Sequence, residues 1–332
     1  MLYATTRDNS NPHTAHRVIH EKRNPDGGFY VPFRHPKFEP QEIEHLCGVS
    51  FGQCVSEILN RLLNTHLTQW DIDFYCGRNP ISVHGLNTKT FVAEAWHTRT
   101  GSFDGIARGI AGRICESEEA VSDWLDLAVR AAVWFGVFGE LKKKGIEQAD
   151  VSVISGDFTV PMSAWYARQW GLPIGQIVCC CNENNGIWEL LSHGQMRTDL
   201  VNTPTMIPEA DVSVPVQLER LVYEAGDLAE TARYLDAVRH GRVYHPDDAT
   251  RKRIGKGLYP AVISSRRLEN TIPSVFRTNS YLMTPATALS YAGLQDYRAK
   301  TGQTLPAVIW AEDDPTSKSE ILASVFGISD DS

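Results

Sequence analysis

The chain has 332 residues, 42% of them apolar and 22% charged, enough for one large domain or two modest ones with buried cores. Its 32 basic residues against 40 acidic ones leave a net charge of −8, the wrong sign for a nucleic-acid binder. No apolar run approaches the ~18–20 residues of a membrane span, and the opening stretch lacks the apolar centre of a secretion signal, so a cytoplasmic protein is expected.

The first third reads as mostly helical with one strand-like stretch. His13, His16 and His20 stand three and four residues apart and would share a helix face. With only Glu21 nearby, on another face, they read as a solvated surface and no metal site is expected. Ser50 is placed to cap a helix whose stripe is Phe51, Cys54, Val55, Ile58, Leu59, Leu62 and Leu63. A longer helix is predicted from about Glu118 to Lys144. It is apolar almost all round between Leu125 and Phe138, with Trp124, Trp134 and Phe135 as core. Lys142, Lys143 and Lys144 then close it against the helix dipole, with Gly145 just beyond. A strand from Ala149 follows, then the turn Ser155-Gly156, a helix over Ser163–Trp170, a strand over Gln176–Cys181 and a polar loop through Asn185. That is a βαβ unit with its loops where open sheets place ligands. Arg251, Lys252 and Arg253 read as another helix end. The last unit is a helix over Pro285–Lys300, a strand over Pro306–Trp310, an acidic turn and a helix starting at Pro315.

No internal repeat or flexible linker interrupts the chain, which argues for one compact α/β body. Seven cysteines, an odd number with no Cys-x-x-Cys pair, read as reduced core thiols. Adjacent cysteines on a strand point to opposite faces, so Cys179, Cys180 and Cys181 cannot close on one metal. Ser152, Ser155 and Ser163 lack the Gly-x-Ser-x-Gly elbow of one hydrolase class.

Several stretches, in order, resemble the threonine synthases, fold-type II pyridoxal-phosphate enzymes. They are Tyr3-Ala-Thr-Thr-Arg7, Asn24 to Pro32, Val151 to Phe158, Asn182-x-Asn184 with Gly194, Asp211 to Leu221, and Thr284-Pro-Ala-Thr-Ala288 with the turn before Pro315. The resemblance implies an α/β fold with a mainly parallel sheet of the fold-type II kind and helices on both faces. It divides the chain into an N-terminal region over 1–90, with a helical extension, and a reduced α/β body over 91–328.

The chemistry that the resemblance would bring is broken at four places. The family's aldimine lysine lies in a stretch written His-Gly-Pro-Thr-x-x-Phe-Lys-Asp. Here His97, Thr100 and Phe103 match, and the lysine position holds Asp104, which cannot form a Schiff base. The segment after it passes almost directly into the long helix, so the small mobile domain is largely deleted. The phosphate loop, usually Ser-Gly-Asn-Phe-Gly, reads Ser155, Gly156, Asp157, Phe158, Thr159, with a carboxylate inserted and its second glycine replaced. The turn before Pro315 offers no hydroxyl for a pyridine nitrogen.

The expectation is a threonine synthase-like protein that has lost pyridoxal-phosphate catalysis, with no cofactor, binding a partner or small ligand in the vacated cleft. The partner would be a protein or a second copy of the chain; Thr100, Asn182 and Asn184 are the pocket candidates. One alternative is a cofactor-independent lyase, isomerase or transferase on a small amino acid or carboxylate. His97, Arg99, Asp104 and Asp157 are its candidates, His97 for acid–base work and Arg99 as an anion clamp. Against that role, Arg99 and Asp104 would pair to fill the site. The other alternative is a pyridoxal-phosphate lyase completed by a partner chain. Of the ten lysines, Lys89, on the run toward His97, is the candidate to reach the old pocket from another direction.

Overall fold

The computed structural model describes residues 1–21, 23–115 and 122–327. It opens with a small antiparallel sheet of β1 (Leu2–Thr5), β2 (His13–Thr14) and β3 (Tyr30–Pro32), with α1 (Ala15–His20) packed beside it. His13 therefore lies on β2, outside the helix, buried and hydrogen-bonded to Asn24 and Arg17, while the His16 and His20 rings meet at a tilt on the exposed face. Among the described residues no three metal-binding side chains converge.

Three helices follow: α2 (Pro40–Leu46), α3 (Phe51–Leu63) and α4 (Gln69–Cys76). Ser50 caps α3 as its sequence implies, accepting from the Gln53 N–H, and the apolar stripe is buried from Cys54 to Leu63, with Phe51 half-buried. A hairpin of β4 (Ser82–Asn87) and β5 (Thr90–Glu94) leads to α5 (Asp104–Cys115), and then comes α6 (Asp123–Lys143). Residues 116–122 are all that separates these two helices. The expected helix start at Glu118 lies outside the described residues. Ser122 accepts from the Leu125 N–H and caps α6, whose two faces are both buried.

The βαβ unit is β6 (Ala149–Ile154), α7 (Thr159–Gln169) and β7 (Ile174–Cys181). The helix begins four residues before the expected Ser163. Phe158 takes a left-handed φ of 75° at its entrance, and Ser163 is used inside the core, accepting from the Trp134 indole N–H. Next come α8 (Gly186–His193), the short pair β8 (Met196–Arg197) and β9 (Val243–Tyr244), α9 (Leu218–Ala225), α10 (Leu228–His240) and α11 (Asp248–Ile254). The chain closes with β10 (Leu258–Val262), α12 (Ser265–Asn279), α13 (Pro285–Thr301), β11 (Ala307–Ala311) and α14 (Ser319–Phe326).

The central sheet runs β10-β7-β6-β11-β5-β4, parallel except for the edge strand β4. One apolar cluster holds α3, α6 and α7 against one face, and a second holds α12 and α13 against the other. All three cysteines of β7 are buried and free, and burial pushes the Cys180 thiol up to about 12. No described helix is long and apolar enough to cross a membrane.

Candidate functional site

β11 returns from the far side of the sheet and inserts between β5 and β6. The loops leaving these three strands therefore part at their carboxyl ends, where an α/β sheet leaves a crevice. Three walls meet there: the loop after β6, the loop after β5 and the acidic turn after β11.

The loop after β6 is the stretch that resembles a phosphate loop. Gly156 has φ 43°, and a Cβ there would stand 2.7 Å from the Glu209 carbonyl oxygen, so the backbone of the 208–210 turn lies directly over it. Asp157 folds its carboxylate onto the start of α7. One oxygen accepts from the Thr159 N–H at 2.9 Å and the other from the Thr159 hydroxyl at 2.8 Å. Phe158 N–H donates to the Ser155 carbonyl at 2.7 Å. Two amides of the loop, those of Phe158 and Thr159, are thus engaged within it, while the buried Ser155 hydroxyl has no partner.

Asn182 and Asn184, at the end of β7, hold the covering segment down. Asn182 donates to Asp211 at 2.7 Å and to the Thr205 hydroxyl at 3.0 Å. Asn184 donates to the Thr203 carbonyl and accepts from the Thr203 N–H, at 2.8 and 2.7 Å. Both side chains are buried, and their hydrogen bonds go to the protein's own chain.

After β5 the picture differs from the expected one. Asp104 starts α5, is exposed and pairs with Arg108 at 3.2 Å. The pair expected between Arg99 and Asp104 does not form. A helical residue meets its neighbour one turn on, and Asp104–Arg108 has that spacing, whereas Arg99 lies on the exposed turn before the helix. Thr100 is exposed on the same turn, and its hydroxyl donates to the Ser102 carbonyl. His97 is partly exposed and donates or accepts at 2.8 Å with Glu94, whose second oxygen accepts from the Tyr281 hydroxyl at 2.8 Å. Burial, together with this carboxylate, pushes the Tyr281 phenol well above its usual range. Lys89 occupies the hairpin turn before Thr90, at the opposite end of β5 from Glu94, and cannot enter the crevice.

The acidic turn after β11 is stitched to the loop after β5. Phe103 N–H donates to the Glu312 carbonyl, Asp314 N–H donates to the Gly101 carbonyl, and Ser102 and Asp313 form a bridge. Beneath it, Arg130 of α6 lies over the Phe103 ring at 4.3 Å and binds both Asp126 and Glu312. Burial works against its charge, yet the two carboxylates hold its pKa above the ordinary arginine value. Glu312 also accepts from the Trp310 indole at 2.8 Å. Arg130 is the one cation within the apolar Leu125–Phe138 run, a signal that something buried must face it. Glu94 carried a similar signal, as the one acid at the end of an otherwise apolar strand.

What stays open is a cavity of about 200 Å³ between β6, β11 and the start of α13. It is lined by Ile154, Glu209, Thr284, Thr287, Trp310 and Glu312, with Ala286, Asp313 and Lys318 completing the wall. Lys318 is the one lysine in that lining, 4.0 Å from Asp313.

Residues 2–78 match the family described as threonine synthase N terminus. Among curated proteins, a threonine synthase of Pseudomonas aeruginosa is 25% identical over 149 residues, 44% of this chain and 32% of that protein. One from Methylobacillus glycogenes is 29% identical over 104 residues, 31% of this chain and 22% of that protein. The matches thus span about a third or less of these relatives' own length. The pyridoxal-phosphate-bound threonine synthase of Brucella melitensis superposes with a TM-score of 0.87 at 16% identity, covering 98% of this chain and 91% of that one. The yeast enzyme gives 0.88 at 13%, covering 100% and 91%, and the Escherichia coli enzyme 0.78 at 14%, covering 100% and 92%. These structures share the fold, a mainly parallel sheet of the fold-type II kind.

Proposed function

We propose that this chain, threonine synthase-like in its N-terminal sequence and its fold, has given up the pyridoxal-phosphate reaction and binds a small ligand in what remains of the crevice. The observation that carries this reading is the filled phosphate loop: the Asp157 carboxylate sits on the Thr159 amide, and the Glu209 carbonyl covers Gly156. An incoming phosphate would have to displace both and would then face a carboxylate. Two like charges ~4 Å apart repel by about 4 kcal/mol at an intermediate dielectric of ~20. The residues present therefore do not fit pyridoxal phosphate. Asp104, at the position matching the family's lysine, supplies no amine and turns to solvent with Arg108.

The size of the remaining cavity supports the same reading. About 200 Å³ falls below the ~300–1,000 Å³ usual for cofactor-sized ligands, yet exceeds the ~30 Å³ share of a single water several times over. Lys318 suits a small carboxylate and the adjoining Glu209 a cationic end, while the Thr284 and Thr287 hydroxyls bond each other. Calorimetric titration tests this with pyridoxal phosphate, inorganic phosphate and a set of small amino acids and carboxylates. One-to-one saturable binding is expected from one of the small molecules and none from pyridoxal phosphate. Tight saturable binding of pyridoxal phosphate overturns the reading.

One observation favours a second reading, a cofactor-independent lyase, isomerase or transferase. Glu94, itself fixed by Tyr281, holds one nitrogen of the exposed His97 ring, the arrangement that orients a histidine for proton transfer. Loss of a turnover in both Glu94→Gln and His97→Ala, with unchanged melting, would select it.

A further inference from the structure

We infer that the cavity between β6, β11 and the start of α13 takes its ligand by an ammonium group, with Glu312 as the receiving carboxylate. The class it selects is then a small alkyl amine and not a simple carboxylic acid. This rests on the small-ligand reading above and adds the charge that the ligand carries. Glu312 follows the last residue of β11, and its side chain is held from behind. One oxygen, Oε1, accepts from both the Arg130 guanidinium and the Trp310 indole N–H. Arg130 is in turn bound to Asp126 and packed over the Phe103 ring, which fixes it. The other oxygen of Glu312, Oε2, has no hydrogen-bond partner among the described residues, and a third of the side chain is exposed where it lines the cavity. A carboxylate already held in one rotamer loses little entropy when a donor arrives.

The charge of the wall decides what that donor is. Glu209, Glu312 and Asp313 line the cavity against a single amine, that of Lys318. Lys318 stands 4.0 Å from Asp313, so those two largely cancel. Arg130 is shared between Glu312 and Asp126 and offsets only one of them. The Glu209 side chain has no ion-pair or hydrogen-bond partner among the described residues. The uncancelled charge is therefore negative, which attracts a cation and repels an anion more strongly than open water would allow. Ile154 and the Trp310 indole supply apolar wall for a methylene stem. About 200 Å³ is the share of six or seven waters at ~30 Å³ each, room for a ligand of on the order of six to eight non-hydrogen atoms.

Calorimetric titration of the full-length chain with three probes of one chain length tests this: 1,4-diaminobutane, 4-aminobutyrate and succinate, at about 0.15 M salt. The diamine is expected to bind one-to-one, at least about tenfold more tightly than 4-aminobutyrate, with succinate not binding. Glu312→Gln keeps an acceptor for Arg130 and the indole, so it should melt close to the wild type, yet weaken the diamine about 30-fold. Lys318→Met removes a like charge and frees Asp313, so it is expected to tighten the diamine about threefold while weakening 4-aminobutyrate. Succinate binding in preference to the diamine, or a Glu312→Gln chain that binds the diamine as the wild type does, overturns the inference and leaves the small-ligand reading standing. No saturable binding of any of the three overturns it as well. Tight binding of pyridoxal phosphate in the earlier titration overturns the reading beneath it, so the two failures are told apart.

Discussion

Asp150, at the amino end of β6, is buried with one oxygen accepting from the Gln176 N–H at 2.7 Å and the other without a partner. Burial raises its pKa. A carboxyl whose folded pKa lies above its unfolded value penalises the fold when ionised, and the penalty lifts as pH falls through the folded pKa. Asp150→Asn is therefore expected to raise the urea midpoint at pH 7, with the gain shrinking toward and below about pH 4. An unchanged or lower midpoint at neutral pH counts against this. Asp157 makes a second test. Its carboxylate accepts from two groups of Thr159, so Asp157→Ala should cost about 1 kcal/mol in urea unfolding, and Asp157→Asn, which keeps an acceptor, less than half of that. At this scale the sequence names residues but not their partners. Asp104 could be named from its place in a motif, but whether it met Arg99 or Arg108 depended on where α5 began. Asn182 and Asn184 read as ligand-pocket candidates, whereas the structure shows their side chains bonded to residues 203–213 of their own chain.

At the scale of elements, caps and periodicity carried most of the information. Ser50 and Ser122 sit just before apolar runs, and both accept from the amide three residues on. Ser122→Ala is expected to lower stability by about 1 kcal/mol, since this cap is buried and serves a helix enclosed on both faces; Ser122→Asp should keep most of it. On α4, Thr68 and Asp71 form a reciprocal cap. The Arg113 guanidinium, joined by the Thr68 amide, lowers the Asp71 pKa to about 2. That stabilisation is complete above the unfolded value near ~3.9 and is lost as pH falls toward 2. Asp71→Asn should flatten the acid limb of the stability curve over that interval; an identical acid limb would argue that the pair contributes nothing. The start of α7 was not legible because its signal is a conformation. Phe158 adopts a left-handed φ normally left to glycine or asparagine, so the helix read from Ser163 starts four residues late.

At the scale of the whole molecule, alternating strand and helix periods make the α/β body readable from about residue 118 onward. The position of β11 between β5 and β6 was not, because strand order comes from long-range pairing that no local window records. That order decides the function proposed here. It brings the loop of Asp157, the turn of Glu312 and the loop of Asp104 to one end of the sheet, where each is closed by the protein's own groups. Treating the purified chain with pyridoxal phosphate, then borohydride, then locating the label by peptide mass spectrometry addresses this closure most directly. The account predicts sub-stoichiometric labelling spread over exposed lysines. One equivalent fixed on a single residue would contradict it, most sharply on Lys318, the one lysine lining the cavity.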